Sequence, residues 1–168
     1  MATTPQTTPT GFNPFFKRVP QGDDRHADIF AVLAALTNKP LAADIQRQAE
    51  TLGVPKTGPY YPFLDGDMIA KILIEHGLVA TVWKESFHFD ELPDVAIAMV
   101  DYDDVAESGR CVLFHRQRMT DGKVTPYVVD PYPHSDAKLH LRVGKSELGA
   151  LTPSWHIGIH QAKPSAKG

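Results

Sequence analysis

Apolar residues recur along this chain first at helical spacing and then at strand spacing. Ile29, Val32, Leu33 and Leu36 share one helical stripe, with Phe30 beside it. Asp23 or Asp24 stands where a helix cap belongs, and Asn38-Lys39-Pro40 stops the segment. A second stripe of Ile45, Ala49 and Leu52 begins at Leu41 and closes at Gly53, which can take the left-handed turn that ends helices. Residues 54–64 form a loop rich in Pro, Gly and Tyr. Met68, Ile69, Ile72 and Leu73 then predict a third helix over 67–76, closed by Gly77.

After Gly77 the period changes. Residues 78–83 are rich in β-formers, and 87–93 predict a short helical turn. The unbroken apolar run over 95–100 suits a buried central strand. Residues 101–109 predict an acidic loop. Residues 111–118 and 124–129 predict a hairpin turned by Asp121-Gly122, with Pro126 weakening its second arm because it donates no ladder hydrogen bond. Two alternating strands close the fold. Leu139, Leu141 and Val143 oppose Lys138, His140 and Arg142; Trp155, Ile157 and Ile159 face in while His156 and His160 face out. A short helix is expected over 146–151. Helices first and strands after predict a segregated α+β domain.

Composition narrows this picture. The 168 residues fit one domain over 12–162, between a disordered leader over 1–11 and a tail over 163–168. A net charge of -3 argues against a nucleic-acid binder. One cysteine, Cys111, excludes an internal disulfide and a cysteine-based zinc cluster. No run of about 20 apolar residues and no secretory signal is present, so a cytoplasmic monomer is expected.

Candidate chemistry is sparse. His156 and His160 lie four residues apart, about 13 Å along a strand, too far for one ion. His140 sits between Lys138 and Arg142, which repel a cation, and Asp23, Asp24 and His26 read as helix-start residues. No metal and no cofactor is expected. Cys111 and His115 share a strand face at the same separation of about 13 Å, beyond a direct hydrogen bond, so the thiol reads as a buried core residue. Arg116, Arg118, Lys123, Lys138, Arg142 and Lys145 read as a solvated positive face, the alternative being a docking surface for an acidic partner or, more weakly, for nucleic acid. Phe12, Phe15 and Phe16 are expected to anchor the N-terminal segment, and Tyr60-Tyr61-Pro62-Phe63 to cover the helices or edge a groove.

One constellation runs through nearly the whole folded body. Gln21 stands six residues before Ala27, which opens the first helix; the third helix leads into Glu75-His76-Gly77-Leu78-Val79-Ala80. Two apolar strands follow, then Arg110-Cys111-Val112-Leu113-Phe114, Tyr127-Val128-Val129-Asp130-Pro131, and Leu148 and Trp155 before the last strand. This order resembles the papain-like peptidase domain that trims double-glycine leader peptides from bacteriocins. The resemblance implies a papain-like fold, with N-terminal helices packed on a C-terminal antiparallel sheet. It implies that Gln21 matches the oxyanion glutamine and Asp130 the aspartate that orients the catalytic histidine. Ala27 falls where the family carries its nucleophilic cysteine, with His26 in place of the preceding aspartate. Arg110 falls where the family carries its catalytic histidine, in a register that can slip by one residue without supplying a histidine.

An alanine methyl cannot attack a carbonyl, and arginine stays protonated and cannot act as a base. The resemblance therefore implies a catalytically silent bacterial relative that binds a peptide or protein segment. Its candidate contacts are Gln21, His26, Tyr60, Tyr61, Arg110 and Asp130, and Arg110 is expected to form a salt bridge with Asp130. Two other readings compete. One is a hydrolase with relocated chemistry drawn from Asp24, His26, Asp28 and His115. The other is a surface interaction protein without an active cleft.

Overall fold

An eight-residue run that is apolar on every side, such as Ile29 to Leu36, can only be stable when surrounded. In the computed structural model, which describes residues 12–60, 62–132 and 136–162, this is the fate of helix α1 (Asp28–Leu36). All of its residues from Ile29 to Leu36 are buried, so the stripe read from the sequence is only part of a fully enclosed helix. The expected leader, the expected tail and Tyr61 lie outside the described residues.

Helix α2 (Ala42–Thr51) is amphipathic and buries Ile45 and Ala49. It ends at Gly53, whose φ of 101° is the left-handed conformation expected there. Helix α3 (Gly66–Ile74) buries Ile69, Ile72 and Leu73, and the Asp65 side chain caps it by accepting the Met68 N–H at 2.9 Å. Helix α1 differs from expectation at its start. No side chain caps it; Asp24 instead accepts the His26 N–H at 2.9 Å and shapes the turn that leads into the helix.

Seven strands follow: β1 (Leu78–Ala80), β2 (Lys84–Glu85), β3 (Val95–Asp103), β4 (Ser108–Arg118), β5 (Val124–Val129), β6 (Leu141–Val143) and β7 (Trp155–Gln161). They make one antiparallel sheet in the order β1-β7-β3-β4-β5-β6, with β2 also on β7. Helix α4 (Lys145–Leu148) lies between β6 and β7, and short 3-10 turns occupy Phe89–Glu91 and Ala137–Leu139. The chain is thus α+β. Pro126 is tolerated because pairing of β5 with β6 stops at Tyr127.

Both faces of the sheet centre are covered. Ile97, Leu113, Tyr127, Val129, Ile157 and Ile159 pack with the three helices. Ala96, Ala98, Val100, Val112, Phe114 and Val128 form a second core with Phe89, Leu92, Leu148 and Leu151. Two covered faces explain the unbroken apolar run of β3. They also bury His156, expected to face solvent, at 7% exposure, while His160 at the strand end is exposed.

Three further expectations change. The acidic loop shortens to residues 104–107, because β3 and β4 extend across the rest of 101–109. The strand expected over 78–83 stops at Ala80, and that expected from Lys138 begins at Leu141. Among the described residues no helix is long and apolar enough to cross a membrane.

Candidate functional site

The N-terminal end of α1 meets the middle of the sheet through two neighbouring pairs. Asp28, the first residue of the helix, accepts the Cys111 backbone N–H at 2.6 Å. One residue earlier on β4, Arg110 donates through Nη1 to Asp130 at 2.5 Å and through Nε to Asp101 at 2.5 Å. Its guanidinium also lies 5.7 Å from the centroid of the Tyr132 ring.

Asp130 ends the strand run of β5 and is only 1% exposed. Its second oxygen accepts the Tyr132 N–H at 3.0 Å. Arg18 holds the same turn by donating to the carbonyls of Asp130, Pro131 and Tyr132. The Gln21 backbone N–H donates to the Pro131 carbonyl at 3.3 Å, and the Gln21 amide donates to the Asp24 carbonyl at 3.0 Å. The strand order therefore brings the Gln21, Ala27-Asp28, Arg110-Cys111 and Asp130 segments together, although they are far apart in sequence.

A cleft of about 500 Å³ opens beside them. Arg110 and His26 line it, with Asp28, Cys111, Trp83 and Tyr60. Gln21, Ala27 and Asp130 are buried and do not line it. Ala27 is 3% exposed and belongs to the core, so a large side chain there would disturb packing rather than plug a groove. Tyr60 is 1% exposed; it donates to Asp24 at 2.9 Å and accepts from Gln46 at 2.9 Å. Burial, followed by the Asp24 carboxylate, pushes its hydroxyl up to about 12. Its loop lies close on His26, since a Cβ on Gly58 would meet the His26 side chain at 2.7 Å.

The electrostatics of the cleft oppose thiol chemistry. Burial, then the Asp28 carboxylate beside it, raises the Cys111 thiol well above its usual range, so it stays protonated. His115 stands four residues further along β4, opposite Val95 where Cys111 is opposite Met99, and is engaged by Tyr127 rather than by the thiol. Burial raises Asp28 to about 6 against the hydrogen bonds from the Cys111 and Ile29 N–H groups, which favour its charged form. Among the described residues no group of three or more His, Cys, Asp or Glu side chains is placed to hold a metal ion.

Sequence reasoning did not find Asp101, Asp28 in its contact role, Trp83 or Arg18. Asp101 has a φ of 52° at an irregularity in the β3–β4 pairing, which turns its carboxylate towards Arg110. Nothing in the residue order signals such a bulge. Comparison of the chain with protein-family models and with curated proteins finds no match.

Proposed function

We propose that this chain is a degenerate papain-like peptidase domain whose cleft binds a peptide or protein segment without cutting it. The observation that carries this reading is the juxtaposition at the tip of α1. Ala27 stands at the N-cap of α1, one residue before Asp28, which is bonded to the strand carrying Arg110, and Arg110 is ion-paired with Asp130. In the resembled family those three positions hold nucleophile, base and orienting acid. Here the methyl group has no lone pair to attack with. The guanidinium has no lone pair to take a proton, and two carboxylates keep it charged. Asp101 and Asp130 raise its pKa against the opposing effect of burial, which is the largest single influence.

Binding chemistry survives where cutting chemistry does not. The cleft wall combines Trp83, Met99, Ile29 and Ile69 with the polar groups of His26, Arg110 and Asp65. A wall that mixes apolar surface with carboxylates and bases suits side-chain capture from an extended segment.

The test has two arms. Purified protein is offered an immobilised peptide library, and the captured peptides are compared with those taken by Trp83→Ala. Soluble peptides are followed by mass spectrometry for cleavage. The reading expects selective capture, weakened about tenfold when the aromatic wall is removed, and no cleavage. Cleavage lost on mutation of His26 or Asp28 would overturn it in favour of relocated chemistry.

A further inference from the structure

A second, larger cavity of about 800 Å³ lies at the opposite end of α1, away from the Arg110 cleft. Its walls are the C-terminal end of α1, the N-terminal segment around Phe15–Val19, and residues of β1, β3, β4 and β7. Two features set its chemistry.

The first is charge. Lys17, Arg18, Lys39, His76, His115 and His160 line the cavity, and no acidic side chain stands among the described residues that do. This asymmetry occurs in a chain whose net charge is -3. Arg18 is occupied by backbone carbonyls; Lys17 and Lys39 are exposed at the mouth, where Lys17 donates to the Asn13 Oδ1. Asp94 acts on His115 from outside the lining and is itself 3.7 Å from Arg116. Phe16, Val19, Leu36, Leu78, Val95 and Ile159 give the wall its apolar part, and Thr37, Asn38 and Gln161 add neutral polar groups.

The second is a proton of fixed position. Tyr127 is fully buried, and its hydroxyl oxygen accepts the Phe16 N–H at 3.0 Å. The hydroxyl proton then needs an acceptor, and His115 Nδ1 lies 2.9 Å away. A histidine that accepts at Nδ1 carries its proton at Nε2 when neutral, and burial lowers the pKa of His115. Nε2 has no hydrogen-bond partner among the described residues. The imidazole is held edge-on by Phe16, 4.9 Å between centroids, and by Tyr127 at 5.3 Å. The result is an oriented donor in an apolar wall.

We infer that this cavity binds a small amphipathic anion, an apolar carboxylate, with its body against the Leu36–Ile159 wall and its charge towards Lys17, Lys39 and the His115 Nε2–H. A volume of this size holds a drug-sized or medium-chain ligand. Cationic ligands meet like charge at the mouth, and neutral ones leave the lysines without a counter-charge. Residues 1–11 contain no Asp or Glu, so their side chains provide no such anion. The inference does not rest on the peptide-cleft reading, since it uses a different cavity and different side chains.

Isothermal titration of decanoate into the full chain, kept below the micelle concentration, tests it. One saturable site is expected, with decyltrimethylammonium showing none and decanol binding at least about tenfold more weakly. Lys17→Glu with Lys39→Glu should weaken decanoate about tenfold. Both side chains are exposed, and thermal melting of the variant checks that it folds. On the unmutated protein, the His115 ring resonances should shift on titration while those of His26 hold still. No saturation, an unchanged affinity in the charge-reversed variant, or an unmoved His115 would overturn the inference. So would binding to phosphatidylglycerol vesicles with none to free decanoate, which would make the basic mouth a membrane contact instead.

Discussion

Asp130 has almost no contact with water, and its charge is balanced by a guanidinium on the neighbouring strand. Removing one partner of such a pair leaves the other charge buried and uncompensated. Arg110→Met should therefore destabilise the chain by about 3–5 kcal/mol in urea unfolding. The double variant Arg110→Met, Asp130→Leu should recover most of that loss. A second residue-scale prediction concerns Asp28. Its folded pKa near 6 lies above the usual carboxylate value, so the folded state holds the proton more tightly than the unfolded state. Stability should be highest below about pH 4 as far as this group is concerned, fall as pH rises from 4 to 6, and stay lowered above 6. The full effect is at most roughly 3 kcal/mol. Asp28→Asn keeps an oxygen for the Cys111 N–H and removes the charge. Its unfolding free energy should lose that decline between pH 4 and 6 and equal or exceed the parent at pH 7. A variant that is weaker at pH 7 would mean that the charge stabilises the fold. Gln21, Arg110 and Asp130 were singled out through the family resemblance, and of these the expected Arg110–Asp130 pair forms. Asp101 was not singled out, because a left-handed residue at a bulge has no signature in side-chain chemistry.

Among the elements, α1 carries the structure. It is enclosed by α2 and the sheet, and Phe30, Leu33 and Ala34 have no exposed surface. Leu33→Ala should cost about 2–5 kcal/mol in denaturant unfolding. The exposed Leu41→Ala change just before α2 should cost less than about 1 kcal/mol, since Leu41 is 58% exposed. Comparable losses at the two sites would contradict a fully enclosed α1. Helix positions were legible because a 3.6-residue apolar period survives in any packing. The strand ends were less so. β1 stops at Ala80 and β6 starts at Leu141, and both are edge strands of three residues; β6 begins opposite Val129, where its partner β5 ends, a boundary set by the neighbour and not by the local residues.

Considering the whole molecule, α1 separates two concavities of different character. The ionisable side chains that line the cleft at its start are carboxylates and bases together, and those that line the cavity at its end are bases alone. A helix of nine residues spans about 13 Å, and the side chains of the two sites do not touch in sequence or lining. Their ligands should bind independently. Trp83→Ala should leave the decanoate affinity within about twofold, and Lys39→Glu should leave peptide capture unchanged, both read by titration calorimetry. Coupled losses would mean that α1 moves as one element between the sites. The residue order alone determined that helices precede strands, that β3 is buried, that one thiol stands in the sheet, and that the first helix begins next to Ala27. These follow from periodicity and residue type, which any fold of this chain must respect. Only the tertiary structure decided that the sheet is covered on both faces, that Arg110 lies between two carboxylates, and that basic side chains from five segments converge on one cavity. Those outcomes depend on which strands become neighbours. Neighbour choice is fixed by the summed packing of the chain, and no local stretch of sequence encodes it.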